Sequence, residues 1–223
     1  MQTSPLKHWA LLGYLVLVWG FAFALIAVAL ESLHPTFIVW CRLWMGAVVM
    51  WCVWRWRGTP WSLGAAWWPR LVLLSVAGNI IPFSLIAWAE LSVPSAEVGI
   101  LMALMPIATL LLAHWLLEHE PLTWIRFSGV LMGFAGVGLL VGEDLFQSGM
   151  QGQLPGQLAT LLATLSYAFN GVYAKRIPDA DPVALSLGTL FVGGLMLAIP
   201  ACLLQSAGLG FAFSAKSVSV LLL

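Results

Sequence analysis

The sequence predicts an all-α polytopic membrane protein, and three observations carry that prediction. Hydrophobic residues make up 61% of the 223 positions and charged residues only 8%, against roughly 25% charged in soluble domains. The mean hydropathy is +0.98. Apolar runs of near-constant length recur along the chain, each close to the ~20 residues a helix needs to cross the hydrocarbon core. Without water, the backbone must satisfy its own polar groups inside a helix. The formal net charge is zero, and no basic patch is present to hold a phosphate backbone. Nucleic acid is therefore set aside as a partner, and the solvent of most of the chain is the lipid bilayer.

Seven full spans are expected, at roughly 9–30, 36–54, 71–89, 98–117, 124–141, 156–174 and 183–204, with an eighth starting near Ser217. The first follows Lys7. Its "AVA" at 27–29 resembles a signal-peptidase site, but the apolar run is longer than a secretory core of ~7–15 residues, so a retained helix is expected. The second opens at Pro35 and carries Arg42, the one cation placed inside a span. A charge at depth is costly and points to function. An outer-gate ion pair with Glu31, Glu90 or Glu97 is expected ahead of substrate contact.

The third span holds "GNIIPFSLIAWAEL", Gly78–Leu91. Pro82 cannot donate to the carbonyl of Gly78, so the helix is expected to bend or open there. Such backbone is tolerated at depth only where protein or a watery cavity covers it. At ideal helical spacing Asn79, Phe83, Ile86 and Glu90 share one face, as a polar pathway requires. The alternatives are an interhelical hydrogen bond for Asn79 and simple solvation for Glu90. In the fourth span Pro106 frees the carbonyl of Met102, and Thr109 follows one turn on. Methionine suits an adaptable wall and plain packing equally. The fifth span is ribbed by Gly129, Gly133, Gly138 and Gly142, which permit close helix approach and a homodimer seam. The sixth carries Thr160, Thr164, Tyr167 and Gly171 along a stripe, with Asn170 beside it. The eighth breaks off at "SVSVLLL", which reads as a fragment.

Basic residues predict the orientation. Lys7, Arg55, Arg57, Arg70, Arg126, Lys175 and Arg176 fall on one side, and Lys216 alone on the other. The N-terminus is accordingly placed in the cytoplasm. One offset aligns Pro35 with Pro182, Leu43 with Leu190, Trp44 with Phe191 and Gly46 with Gly193; Trp19 meets Tyr167 with one residue of slippage. The second span thus corresponds to the seventh and the first to the sixth. A five-helix repeat is odd, so its second copy enters from the opposite side. Residues 1–142 are the first repeat and 156–223 an incomplete second. Inverted repeats place a substrate site near the midplane between them.

Cys41, Cys52 and Cys202 read as small apolar residues. "HWLLEHEP" carries no H-E-x-x-H run, and a catalytic zinc needs three protein ligands. No metal or cofactor is assigned. No nucleophile–base pair, phosphate loop or acid dyad is present, which argues against an enzyme.

"PSAEVGILMALMPIATLLLAHWLLEHEPLTWIRFSGVLMGFAGVGLLVG", Pro94–Gly142, resembles the EamA-type domain of the drug/metabolite transporter superfamily. The resemblance rests on Pro106 inside its first helix, Glu118 at that helix's end and the glycine-ribbed helix after it. "WGFAFALIAVALESLHPTFIVWCRLWMGA" resembles the family's first two helices, with Trp19, Gly20 and Arg42, and "LATLLATLSYAFNGVYAKRI" its sixth. The resemblance implies ten helices in two inverted five-helix repeats and export of amino acids, metabolites or amphiphilic drugs by alternating access. It also implies residence in the cell inner membrane. The expected substrate pathway comprises Trp19, Phe23, Asn79, Pro82, Phe83, Met102, Pro106, Thr109, Thr164, Tyr167 and Asn170, with Arg42, Glu90 and Glu97 at gate or coupling positions. The rivals are a membrane-embedded enzyme, a non-transporting subunit and an antiporter of phosphate esters. The last would want more than one buried cation.

Overall fold

The structure, a computed structural model, describes residues 5–117, 123–147, 153–177 and 180–207. Among these, the α-helices are α1 (Pro5–Leu30), α2 (Pro35–Arg57), α3 (Trp68–Ser75), α4 (Ile81–Ala89), α5 (Ser95–Met102), α6 (Met105–Leu116), α7 (Trp124–Gln147), α8 (Leu154–Ala174) and α9 (Pro182–Ser206). Five segments are long and apolar enough to cross a membrane: His8–Leu30, Pro35–Arg57, Ala65–Ala89, Ser95–Leu116 and Pro182–Ser206. Helices α7 and α8 add 24 and 21 residues. The protein is an all-α polytopic membrane protein. Glu118 and the start of an eighth span at Ser217 lie outside the described residues.

Helices α2 and α9 form the central pair. Each begins with a side-chain cap followed by proline, which suits the first turn because its missing N–H would be unpaired there anyway. The Thr36 N–H donates to His34 Nδ1 at 3.2 Å. Burial holds the His34 imidazole below its usual pKa, keeping Nδ1 an acceptor. The Ala184 N–H donates to Asp181 Oδ2 at 3.0 Å. Helix α2 ends at Gly58, whose φ of +63° is a left-handed conformation that glycine adopts without a Cβ penalty.

The two helices run antiparallel, and their contacts are reciprocal. The His34 N–H donates to Gln205 Oε1 at the end of α9, at 2.8 Å. Arg57, at the end of α2, pairs with Asp181 at 3.6 Å. A Cβ on Gly46 would stand 3.3 Å from Leu190, and one on Gly193 would stand 3.1 Å from Leu43. Trp44 and Phe191, equivalent in the sequence repeat, meet edge to face at 5.5 Å. Residue i touching j while j's counterpart touches i's counterpart is the signature of a two-fold interface.

Two spans are broken where proline predicts it. Between α3 and α4, Val76–Ile80 form a single π-helical turn. The Ile81 N–H reaches back five residues to the Val76 carbonyl, and Pro82 has no N–H, so the Ala77 carbonyl loses its helical donors. Ser166 of α8 donates its hydroxyl to that carbonyl at 2.7 Å. The freed backbone is thus satisfied by a neighbouring helix, as burial in lipid requires. The other break, at Ala103–Leu104, is closed by tight bonds from Ala103 to Ile100 (3.0 Å) and Leu104 to Leu101 (3.2 Å), with Pro106 in the first turn of α6.

The core lies where the C-terminal half of α1 meets α2, α4 and α5, around Leu33, Ile38, Val39, Leu43 and Val98. Helix α8 packs across α4 and α6. Lipid tails are as apolar as leucine, so close packing rather than escape from water holds these helices together. Small residues make it close: a Cβ on Gly78 would fall 2.5 Å from Asn170, and one on Gly156 would fall 2.6 Å from Val93. On α7, Gly133 receives Ile107 of α6, whereas Gly129 and Gly136 have no atom within 4 Å of a Cβ. Part of the glycine rib expected at a dimer seam therefore works inside the chain.

Candidate functional site

Two cavities are lined in part by both the broken third span and α8. The outer one, so labelled only because it lies nearer the α1–α2 turn, has about 270 Å³ and is lined by Trp19, Phe23, Arg42, Phe83, Met102 and Tyr167, together with Val18, Ala22, Ile26 and Ile86. The inner one, of about 320 Å³, is lined by Asn79 and Asn170 with Ser186 and Thr189 of α9 and four apolar neighbours. Tyr167 and Asn170 lie on successive turns of α8, so the cavities are consecutive. The Phe83–Tyr167 ring pair, 6.1 Å between centroids, belongs to the wall of the first, and Asn170, in the wall of the second, packs tightly against Gly78.

The outer cavity gathers residues from α1, α2, α4, α5 and α8. Its walls are aromatic rings and a thioether, with one guanidinium. Arg42 stacks over the Phe83 ring at 4.7 Å, a cation–π contact that strengthens away from water. Glu90 caps α4, and neither of its carboxylate oxygens, though buried, has a hydrogen-bond partner. It lies one residue beyond the span, where burial pushes its pKa up to about 8 against the pull of Arg42. The arrangement suits a solute that is apolar over most of its surface and polar at one end.

The remaining expected residues are placed as follows. Asn79 is separated from Phe83: the π turn interrupts the 3.6-residue register that set them on one face, and Asn79 opens on the inner cavity. Pro82 is buried beneath the break. Thr164 donates to the Thr160 carbonyl at 2.9 Å and contacts the Met102 sulfur at 3.2 Å. Thr109 donates to the Met105 carbonyl at 2.8 Å, and it and Pro106 sit on α6, outside the walls of both cavities. Glu97 is buried, accepting from Gln157 Nε2 at 2.5 Å, and so ties the start of α5 to the start of α8.

Several residues of the site and its surroundings were not anticipated. Val18, Ala22 and Ile26 recur on one face of α1 with Trp19 and Phe23, a helical spacing that could have marked them. Ser186 and Thr189 are three apart on α9, a weaker signal of the same kind. Gln157 carried no local signal, because its partner is sixty positions away. Among the described residues no group of three or more His, Cys, Asp or Glu side chains is placed to hold a metal ion.

Comparison with known proteins agrees with this architecture. The EamA-like transporter family matches residues 7–142. The uncharacterized inner membrane transporter YedA of Escherichia coli strain K12 is 25% identical over 193 residues, covering 83% of this chain and 58% of its own length. The YedA proteins of strains O6:H1 and O157:H7 match equally. The chain thus spans less than two thirds of these relatives. A crystal structure of a protein superposes with a TM-score of 0.65 and 20% identity over 92% of this chain and 73% of its own, a likeness of fold. With more than half of its residues matched by the family, the chain belongs to the EamA-like transporters.

Proposed function

We propose that the protein is a secondary transporter that exports small amphiphilic metabolites, amino acids or drugs by alternating access. One observation carries this reading: two separate cavities are lined by successive turns of α8, one holding the Phe83–Tyr167 ring pair and the other Asn79 and Asn170, and we take those contacts as the partition between them. Opening that partition while closing the outer mouth passes a solute across without a continuous pore. The reciprocal α2–α9 contacts support inverted repeats, the architecture in which alternate opening arises by rocking one copy against the other. The imbalance of basic residues supports a cytoplasmic N-terminus. The description of the YedA relatives as inner membrane transporters supports residence there. In this reading Trp19, Phe23, Phe83, Met102 and Tyr167 hold the apolar body of the solute, and Asn79 and Asn170 orient its polar end on the inner side. Arg42, Glu90 and Glu97 control the outer mouth.

The test is accumulation of labelled amino acids and amphiphilic cations in proteoliposomes containing the full-length protein. At least one solute is expected to accumulate faster than in empty vesicles, and Phe83→Ala with Tyr167→Ala is expected to abolish that excess. A panel moving no faster than in empty vesicles, or a double variant with undiminished transport, would overturn the proposal.

A further inference from the structure

A third cavity shares no lining residue with the transport groove. It lies where the end of α2, the α2–α3 loop and the start of α9 meet, and encloses about 330 Å³. Trp54, Trp61, Trp68, Leu71 and Phe191 wall it, and no charged residue lines it. Whatever occupies it is hydrocarbon along its length. The loop end is different. Arg55 and Arg57 sit in the last turn of α2. Arg70 sits in the first turns of α3, its guanidinium stacked on Trp67 at 5.1 Å. Arg57 is held by Asp181, while Arg55 and Arg70 are exposed and form no salt bridge among the described residues. Beside them, Trp54 Nε1 and Thr59 Oγ1 are buried without a hydrogen-bond partner.

We propose that this cavity is a binding site for one anionic phospholipid, its acyl chain between the tryptophans and its phosphate on Arg55 and Arg70. Tryptophan is enriched at the headgroup level, and basic residues beside a span attract anionic lipid. The apolar lining is flanked in sequence by cations, Arg55 after Trp54 and Arg70 before Leu71, a pairing of hydrocarbon and positive charge that an anionic phospholipid matches. The occupant would also brace the first turns of α9, where Leu187 and Gly188 line this cavity and Leu185 and Ser186 line the inner transport cavity.

The experiment is native mass spectrometry of the full-length protein with dioleoyl phosphatidylglycerol or dioleoyl phosphatidylcholine. Phosphatidylglycerol adducts are expected to persist in preference. Arg55→Gln with Arg70→Gln should reduce that preference by roughly fivefold for each arginine, with chain-dependent binding retained. Gly64→Leu should weaken adducts of both lipids. Its φ of −86° suits any residue, and a Cβ there meets nothing within 4 Å, so the new side chain has room in the cavity. Trp61→Ala, which removes a half-exposed wall, should do the same if Gly64→Leu lowers the melting temperature. Equal adducts of the two lipids in the wild type, a preference unmoved by the double arginine change, or no adduct at all would overturn the proposal. The last would mean that another segment covers the cavity.

Discussion

Arg42→Ala should be the most damaging single change in the outer cavity, raising the apparent KM for transport roughly thirtyfold. Its backbone lies about 10 Å along α2 from Pro35, and its guanidinium rests on the face of Phe83. A desolvated cation–π contact is worth about 2 kcal/mol, and a rise of about thirtyfold is the upper limit, reached when all of it goes to holding Phe83 in its solute-binding position. Alanine removes the contact and the cavity's one positive charge together, and leaves Phe83 without the group that fixes its ring. Arg42→Lys should retain part of the activity, because lysine keeps the charge but loses the planar fork that stacks on rings and grips carboxylates in two places. Wild-type kinetics in Arg42→Ala would mean that the side chain merely snorkels toward the outer surface.

Glu90→Gln should remove most of the protein's pH response between about 5 and 8. The Glu90 carboxyl is pushed from 4.5 up to about 8 by burial, opposed by Arg42. In the unfolded chain it loses its proton near 4.5. Across that window the folded protein binds more protons than the unfolded one, so stability falls as pH rises from about 4.5 to about 8 and then levels. The same asymmetry operates in transport. A conformation that exposes Glu90 to water releases at neutral pH the proton that the described conformation holds, so the rate should depend on pH. Melting temperature and initial transport rate, each measured from pH 5 to 8.5, should vary in the wild type and be nearly flat in the glutamine variant. A wild-type slope retained in full by Glu90→Gln would assign the response to another group.

The sequence made the spans legible because length and composition alone decide whether a helix can cross a bilayer. It also located the break at Pro82, since a missing N–H is a local fact. The form of the break was not legible. Whether the chain bends or widens into a π turn depends on whether a neighbour can satisfy the released carbonyl, and Ser166, which does so, lies 89 positions away. That choice changed the site, because face assignments at 3.6 residues per turn fail across a π turn and Asn79 leaves the face of Phe83. The threonine stripe of α8 looked polar in sequence, yet Thr160 and Thr164 satisfy their hydroxyls on the preceding turn, and only Tyr167 of the stripe lines the outer cavity. Nor was the partner of Glu97 legible, because Gln157, which holds it inside the protein, lies sixty positions away. The tryptophans of the α2–α3 loop, Trp61 and Trp68, give no local sign that they help enclose a cavity. Nothing local marks a space formed by residues from three separated segments.

The central claim, two cavities reached from opposite sides of the membrane, is tested most directly by thiol accessibility. Phe23→Cys and Ser186→Cys are introduced singly into the full-length protein lacking its native cysteines and reconstituted in one orientation. A small impermeant thiol reagent is then applied to either side. The account predicts that the cysteine at Phe23 reacts from the outer side and the one at Ser186 from the cytoplasmic side, with a transported solute slowing both. Two cysteines that react from the same side, or a cysteine at Phe23 inert under every condition, would contradict it.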